Sequence, residues 1–254
     1  METLQKIAVP TLAILAFLGV WEFIVWVNGW PNYKMASPSD LPPAFARYSH
    51  LFLIMGWQTL WRTVAGLGLA VLFGTLLGMA MGFSRIARDA LYPLLVGFNA
   101  IPKATLVPVI ALIFIGQHDF NTVLMAFLIS FFPIAVSVGI GLSTLEPEYR
   151  DILRSLGASR VTIFRKIALP KTLPEFFGAL KVSVTLAFIG TNLVEIVSPH
   201  GRGLGALFKS GETNGDYPLM FAVLIALAVL GIVLYYAVVA LERIFAGWAE
   251  RPQS

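Results

Sequence analysis

Residues 146–174, EPEYRDILRSLGASRVTIFRKIALPKTLP, decide how this chain is read. They form a charged island of 29 residues between long apolar runs. Such an island, flanked by segments that enter lipid, must lie in water. It carries six basic residues, Arg150, Arg154, Arg160, Arg165, Lys166 and Lys171, and short basic loops stay on the cytoplasmic side. A patterned cytoplasmic loop on an otherwise lipid-embedded chain points to a docking surface for a soluble partner.

Working outward, the composition agrees with a membrane protein. Of 254 residues, 57% are hydrophobic and 13% charged, with a mean hydropathy of +0.80. Soluble domains average about 45–50% apolar and about 25% charged residues. The net charge of +4 follows from the one-sided basic loops and does not point to nucleic acid. The absence of cysteine excludes disulfides, thiolate catalysis and cysteine-ligated metals. His50, His118 and His200 have no metal-ligand spacing, and no cofactor is expected. The first apolar run is too long for a signal-peptide core and reads as a retained span.

A hydrocarbon core of about 30 Å needs about 20 apolar residues per helix. Six segments qualify: 7–27, 57–83, 91–115, 121–142, 176–197 and 219–241. With this threading, Lys6, Arg85, Arg88, the six basic residues of the island, Arg243 and Arg251 face one side, eleven in all. Only Lys34, Arg47, Arg202 and Lys209 face the other. The bias predicts that both termini and the loop 143–175 are cytoplasmic. The expected fold is therefore an all-α membrane protein, one domain over 1–254, with six transmembrane helices and an outer loop at 198–218.

Inside the spans, three features stand out. Gly74, Gly78 and Gly82 recur every four residues, a smooth stripe on which another helix can pack closely. Pro93, Pro102 and Pro108 are expected to break the third span, with Asn99 and Lys103 between them. Broken backbone at membrane depth is tolerated only against protein or a water-filled cavity, so this span should line the interior. The segment 198–218 is rich in glycine and polar groups around Leu204–Phe208, which predicts a re-entrant or interfacial helix. Its Lys209-Ser210 follows a glycine cluster but lacks the glycine and preceding strand of a phosphate loop, so the chain carries no ATPase motif.

Ionisable groups at membrane depth are functional candidates by default. Lys103, beside a proline, is the best placed to meet an anion, and Glu195 has Asn192 one turn before it on the same face. Asn99, Lys103, Asn192 and Glu195 are the expected lining of a translocation path. Lys181 is expected to snorkel toward the interface, Arg62 to pair with an acid or carbonyl, and Glu22 to sit at an interface. Phe98, Phe114, Phe131 and Phe132 lie near the expected cavity.

The island carries a recognisable signature. Gly157 is followed after nine residues by Ile167-Ala168-Leu169-Pro170, and Asp151-Ile152-Leu153 begins six residues before it. This resembles the Glu-Ala-Ala, three residues, Gly, nine residues, Ile-x-Leu-Pro motif of binding-protein-dependent ABC importer permeases, with Asp-Ile-Leu in place of Glu-Ala-Ala. Thr59-x-x-Arg62, Ile101-Pro102 and Gly203-Leu204-Gly205 extend the resemblance to the branch that imports nitrate, sulfonates and taurine. The resemblance implies a type I importer fold and a coupling helix carrying Asp151, Leu156, Gly157, Ala158, Ile167, Leu169 and Pro170. It implies two cytoplasmic ATPase subunits that bind the ATP, an extracytoplasmic solute-binding protein, and a second copy of the chain in the inner membrane. It implies a small oxyanion as solute, with a neutral or aromatic nutrient such as a pyrimidine vitamin precursor as the alternative.

The residues give their own reason for the elbow. Gly157 permits a sharp turn between two short helices, Leu156 and Ala158 offer a small apolar knob, and Pro170 should end the second helix or bend its axis. A lipid-surface helix is the competing account of the island. A membrane-embedded enzyme would need clustered carboxylates, a metal set or a nucleophile with a base, none of which is visible. An ion-driven secondary carrier would show internal repeats with matching broken helices, and no repeat is evident.

Overall fold

The computed structural model describes residues 2–31, 35–143, 155, 157, 159, 162, 164–198 and 201–248. Among these residues all regular structure is helical: α1 (Glu2–Asn28), α2 (Leu41–Arg47), α3 (Ser49–Phe83), α4 (Arg85–Ala100), α5 (Leu106–Ile113), α6 (His118–Ser143), α7 (Leu169–Val197), α8 (Leu204–Asn214) and α9 (Tyr217–Ala246). Five helices are long and apolar enough to cross a membrane, and α4 with α5 makes a sixth if the bent pair counts as one span. The six expected segments are all present, several with longer helices than their apolar stretches. Helix α3 begins at Ser49, eight residues before the expected start at 57, taking in the apolar run Leu51–Met55.

The centre is the packing of α3, α6 and α7. Small residues set its closeness, because neighbouring lipid offers no hydrophobic gain and helices must associate through direct packing. A Cβ on Gly78 would lie 2.6 Å from Val138 Cβ, and one on Gly74 would lie 2.9 Å from the Phe131 carbonyl oxygen. Gly82 faces Leu142 in the same way, and Gly66 extends the stripe toward the start of α3, against Ala126. Helix α9 packs on α7, where Lys181 Nζ binds both carboxylate oxygens of Glu242, at 3.0 and 2.8 Å. Lys181 is thus anchored near the end of α9.

The third span breaks once. Pro93 lies inside α4 and Pro108 in the first turn of α5, where a missing N–H leaves no helical bond unmade. The break falls at Ile101-Pro102: Ile101 is extended (φ −65°, ψ 128°), as a residue before proline prefers, and the two halves meet at 78°. Helix α1 is peripheral. Its contacts are at one end, where Glu22 accepts from Ser39 N and Ser39 Oγ and Trp21 packs on Phe221 with ring centroids 5.7 Å apart.

Candidate functional site

A buried polar node closes the end of the bundle opposite the elbow. Arg62 on α3 and Glu195 on α7 are both sealed from solvent, at 1% and 0% exposure. Arg62 Nη1 donates to Glu195 Oε1 at 3.2 Å and also to the Arg202 carbonyl. Its Nε and Nη2 both donate to Asp119 Oδ1, at 2.8 and 2.5 Å, on the first turn of α6. One guanidinium thus joins all three central helices. Arg suits this role because its fixed fork of donors can answer several acceptors at once.

The same node positions α8. That helix has no side-chain cap of its own, since its N-cap residue is Gly203. Glu195 Oε2 instead accepts from Gly205 N at 3.0 Å, and Thr59 Oγ1 accepts from Leu204 N at 2.8 Å. Thr59 then donates its one hydrogen to Glu195 Oε2 at 2.8 Å. A carboxylate at a helix N-terminus satisfies orphan N–H groups and complements the helix dipole. Gly203 makes the approach possible: its φ is +126°, and a Cβ there would overlap the Glu195 carboxylate. At the other end of α8, Gly215 turns the chain with φ +70°, and Asp216 caps α9 while accepting from Tyr48 at 2.6 Å. That hydrogen bond raises the Tyr48 phenol above its ordinary 10.0.

The four residues expected to line a path fall into two pairs. Asn192 and Glu195 sit on α7 behind α8, where the Asn192 carbonyl and Glu195 Cβ crowd the missing Cβ of Gly205. Glu195 is enclosed by its partners, and Asn192 donates back to Phe188 O at 2.8 Å while its Oδ1 is buried without a partner. Asn99 and Lys103 flank the break in the third span. Asn99 is exposed, and Lys103 Nζ donates to the carbonyls of Phe98, Asn99 and Ile101 at 2.8, 2.9 and 3.1 Å. All three ammonium hydrogens are engaged, and the group lies 5.1 Å over the Phe98 ring. Lys103 caps the end of α4 where proline leaves carbonyls bare. The four phenylalanines also separate: Phe98 packs on Phe131, whereas Phe114 packs on Phe120.

Of the coupling residues, Asp151, Leu156 and Ala158 lie outside the described residues. Gly157 has φ +80°, a conformation natural to glycine alone. Ser159 Oγ accepts from Thr162 N at 3.2 Å, the bond of a helix N-cap. Ile167 lies in a π-helical turn, Phe164–Ala168, that runs straight into α7. Leu169 is exposed, and Pro170 occupies the first turn of α7. Pro170 therefore neither ends a helix nor bends the span. At that position its fixed φ suits the helix and its absent N–H is not missed.

Sequence reasoning placed no role on Thr59, His118, Asp119, Arg202 or Gly203. His118 Nε2 accepts from Arg202 N at 3.2 Å, so it too holds the segment before α8. The available signal was chemical: a mid-helix arginine needs acids, and Asp119 opens the one other central helix at that end.

Comparison with known proteins adds four findings. The family model described as "Binding-protein-dependent transport system inner membrane component" matches residues 70–246. The chain is 32% identical to the formylaminopyrimidine transport permease protein of Halalkalibacterium halodurans, over 95% of this chain and 96% of that one. It is 28% identical to the taurine transport system permease protein of Escherichia coli, over 95% and 89%. The inward-facing MetNI methionine ABC transporter superposes with a TM-score of 0.64 at 21% identity, covering 78% of this chain and 98% of that one, a likeness of fold.

Proposed function

The chain belongs to the family of binding-protein-dependent transport system inner membrane components, and we propose that two copies of it form the translocation path of an ATP-driven importer. Two cytoplasmic ATPase subunits would supply the hydrolysis, and an extracytoplasmic binding protein would deliver the solute. Both termini and the elbow 143–175 would face the cytoplasm, by the basic bias of the loops.

One observation carries the mechanism. The π-turn Phe164–Ala168 passes into α7 without a break, and α7 is the helix whose far end holds Glu195. A push on the elbow would reach the centre of the bundle along a rigid rod. At the other end, Arg62 would carry it to α3 and α6, and Glu195 to α8. The elbow would thus move the walls and the outer helix as one body.

The solute reading turns on Lys103. An oxyanion would have to draw its ammonium away from three carbonyls, each bond to a charged group contributing about 1.5–3 kcal/mol. That geometry favours a small neutral polar nutrient, in keeping with what the formylaminopyrimidine relative's name records. An oxyanion such as a sulfonate, nitrate or carboxylate is the second reading, supported by the taurine relative.

The test is Gly157→Val in the chain co-expressed with its ATPase and binding protein. A β-branched residue resists φ +80°, so the variant should insert and assemble but hydrolyse ATP without uptake. Normal uptake would overturn the coupling role. A thermal-shift panel on the binding protein decides between the two solute classes.

A further inference from the structure

At the elbow end of the bundle, a crevice of about 460 Å³ lies between the α3–α4 corner and the last turns of α6. Nothing in the importer reading uses it. Its rim carries Arg88, Asp89 and Tyr92, and its floor is apolar, with Met81, Val136 and Ile140. Arg88 is held in place by one bond, Nε to the Met81 carbonyl at 3.2 Å. Its two terminal nitrogens make no hydrogen bond among the described residues, and neither Arg88 nor Asp89 joins an ion pair there.

We propose that this crevice binds a phospholipid whose headgroup carries a primary amine. The phosphate sits on the open edge of Arg88, where a guanidinium fork matches two phosphate oxygens. The ammonium donates to Asp89, and the first methylenes of one acyl chain lie along Met81, Val136 and Ile140. Each half of the wall selects against another occupant. A free phosphate leaves the floor uncovered. A purely anionic headgroup places its second polar group beside the Asp89 carboxylate without a cation to answer it. A quaternary amine has no N–H to give Asp89. The position agrees, because the crevice opens where α3 and α6, both long enough to span, come to their ends. Arg and Tyr at that level are the residues that meet headgroups, with polar tips at the interface and apolar bodies in the hydrocarbon.

The test is native mass spectrometry of the full chain released from nanodiscs of defined lipid. Discs hold equal phosphatidylethanolamine and phosphatidylcholine over constant phosphatidylglycerol. Retained phosphatidylethanolamine should exceed phosphatidylcholine by about tenfold, the worth of one charge-assisted hydrogen bond. Asp89→Asn, at an exposed position, should bring the ratio near one while lipid is still retained. Arg88→Gln should lose both lipids, checked against its melting temperature because Arg88 also holds the α3 end. Equal retention in the native chain, or an undiminished ratio in Asp89→Asn, overturns the proposal. Soluble phosphoethanolamine displacing the lipid at equal concentration would give the site to a water-soluble amino-phosphate and overturn it as well.

Discussion

Arg62 and Glu195, 133 residues apart in sequence, meet at 3.2 Å in the sealed end of the bundle, a contact that ties α3 to α7 beside the start of α8. Removing Arg62 strands the buried Glu195, whereas removing Glu195 leaves Arg62 paired with Asp119. Breaking a buried pair typically costs about 3–5 kcal/mol, because the remaining ion keeps its desolvation penalty. Arg62→Met should lower stability by that amount, and Glu195→Met by less, because Asp119 still answers the guanidinium. The double variant should be no worse than Arg62→Met alone. A thermal double-mutant cycle in detergent measures this, and additive losses would show that the two side chains do not act together.

Gly203→Ala tests the approach of α8 more finely. The methyl would overlap the Glu195 carboxylate and force a residue with a side chain to φ +126°. Strain of this kind is worth about 1–3 kcal/mol, on top of the displaced cap. Faster amide exchange at Leu204 and Gly205, with α3 unchanged, is the expected signature; unchanged protection there would place the cap elsewhere.

Lys103→Met should loosen the break in the third span. The carbonyls of Phe98, Asn99 and Ile101 would lose their donor, at about 1–3 kcal/mol for the part-buried Phe98 carbonyl and less for the two exposed ones. Lys103→Arg should restore much of the loss. Hydrogen exchange over 98–106 reports the loosening, and a Lys103→Met variant as protected as the native chain would remove the capping role.

Reporter fusions after Leu142 and after Ser254 should both read cytoplasmic. The prediction rests on the basic bias of the loops, so an external reading at either site would overturn the six-span threading.

The sequence by itself determined the class of this protein and the number of its spans. Both depend on local quantities: the length of an apolar run against the thickness of a bilayer, and the side on which basic residues collect. The glycine stripe of α3 was readable for the same reason, since a four-residue repeat fixes a helical face wherever the partner lies. The Gly157 signature was readable because its meaning is carried by spacing along one chain.

Only the tertiary structure decided what the buried charges do. Lys103 and Glu195 looked alike in sequence, as lone ions at membrane depth. One caps the helix that it follows, and the other is neutralised by an arginine three spans away. Three prolines in one span looked equivalent, yet only Pro102 stands where a helix could not absorb it. An ion in a low-dielectric interior is defined by its nearest partner, and which partner is nearest is a property of packing that no local pattern records.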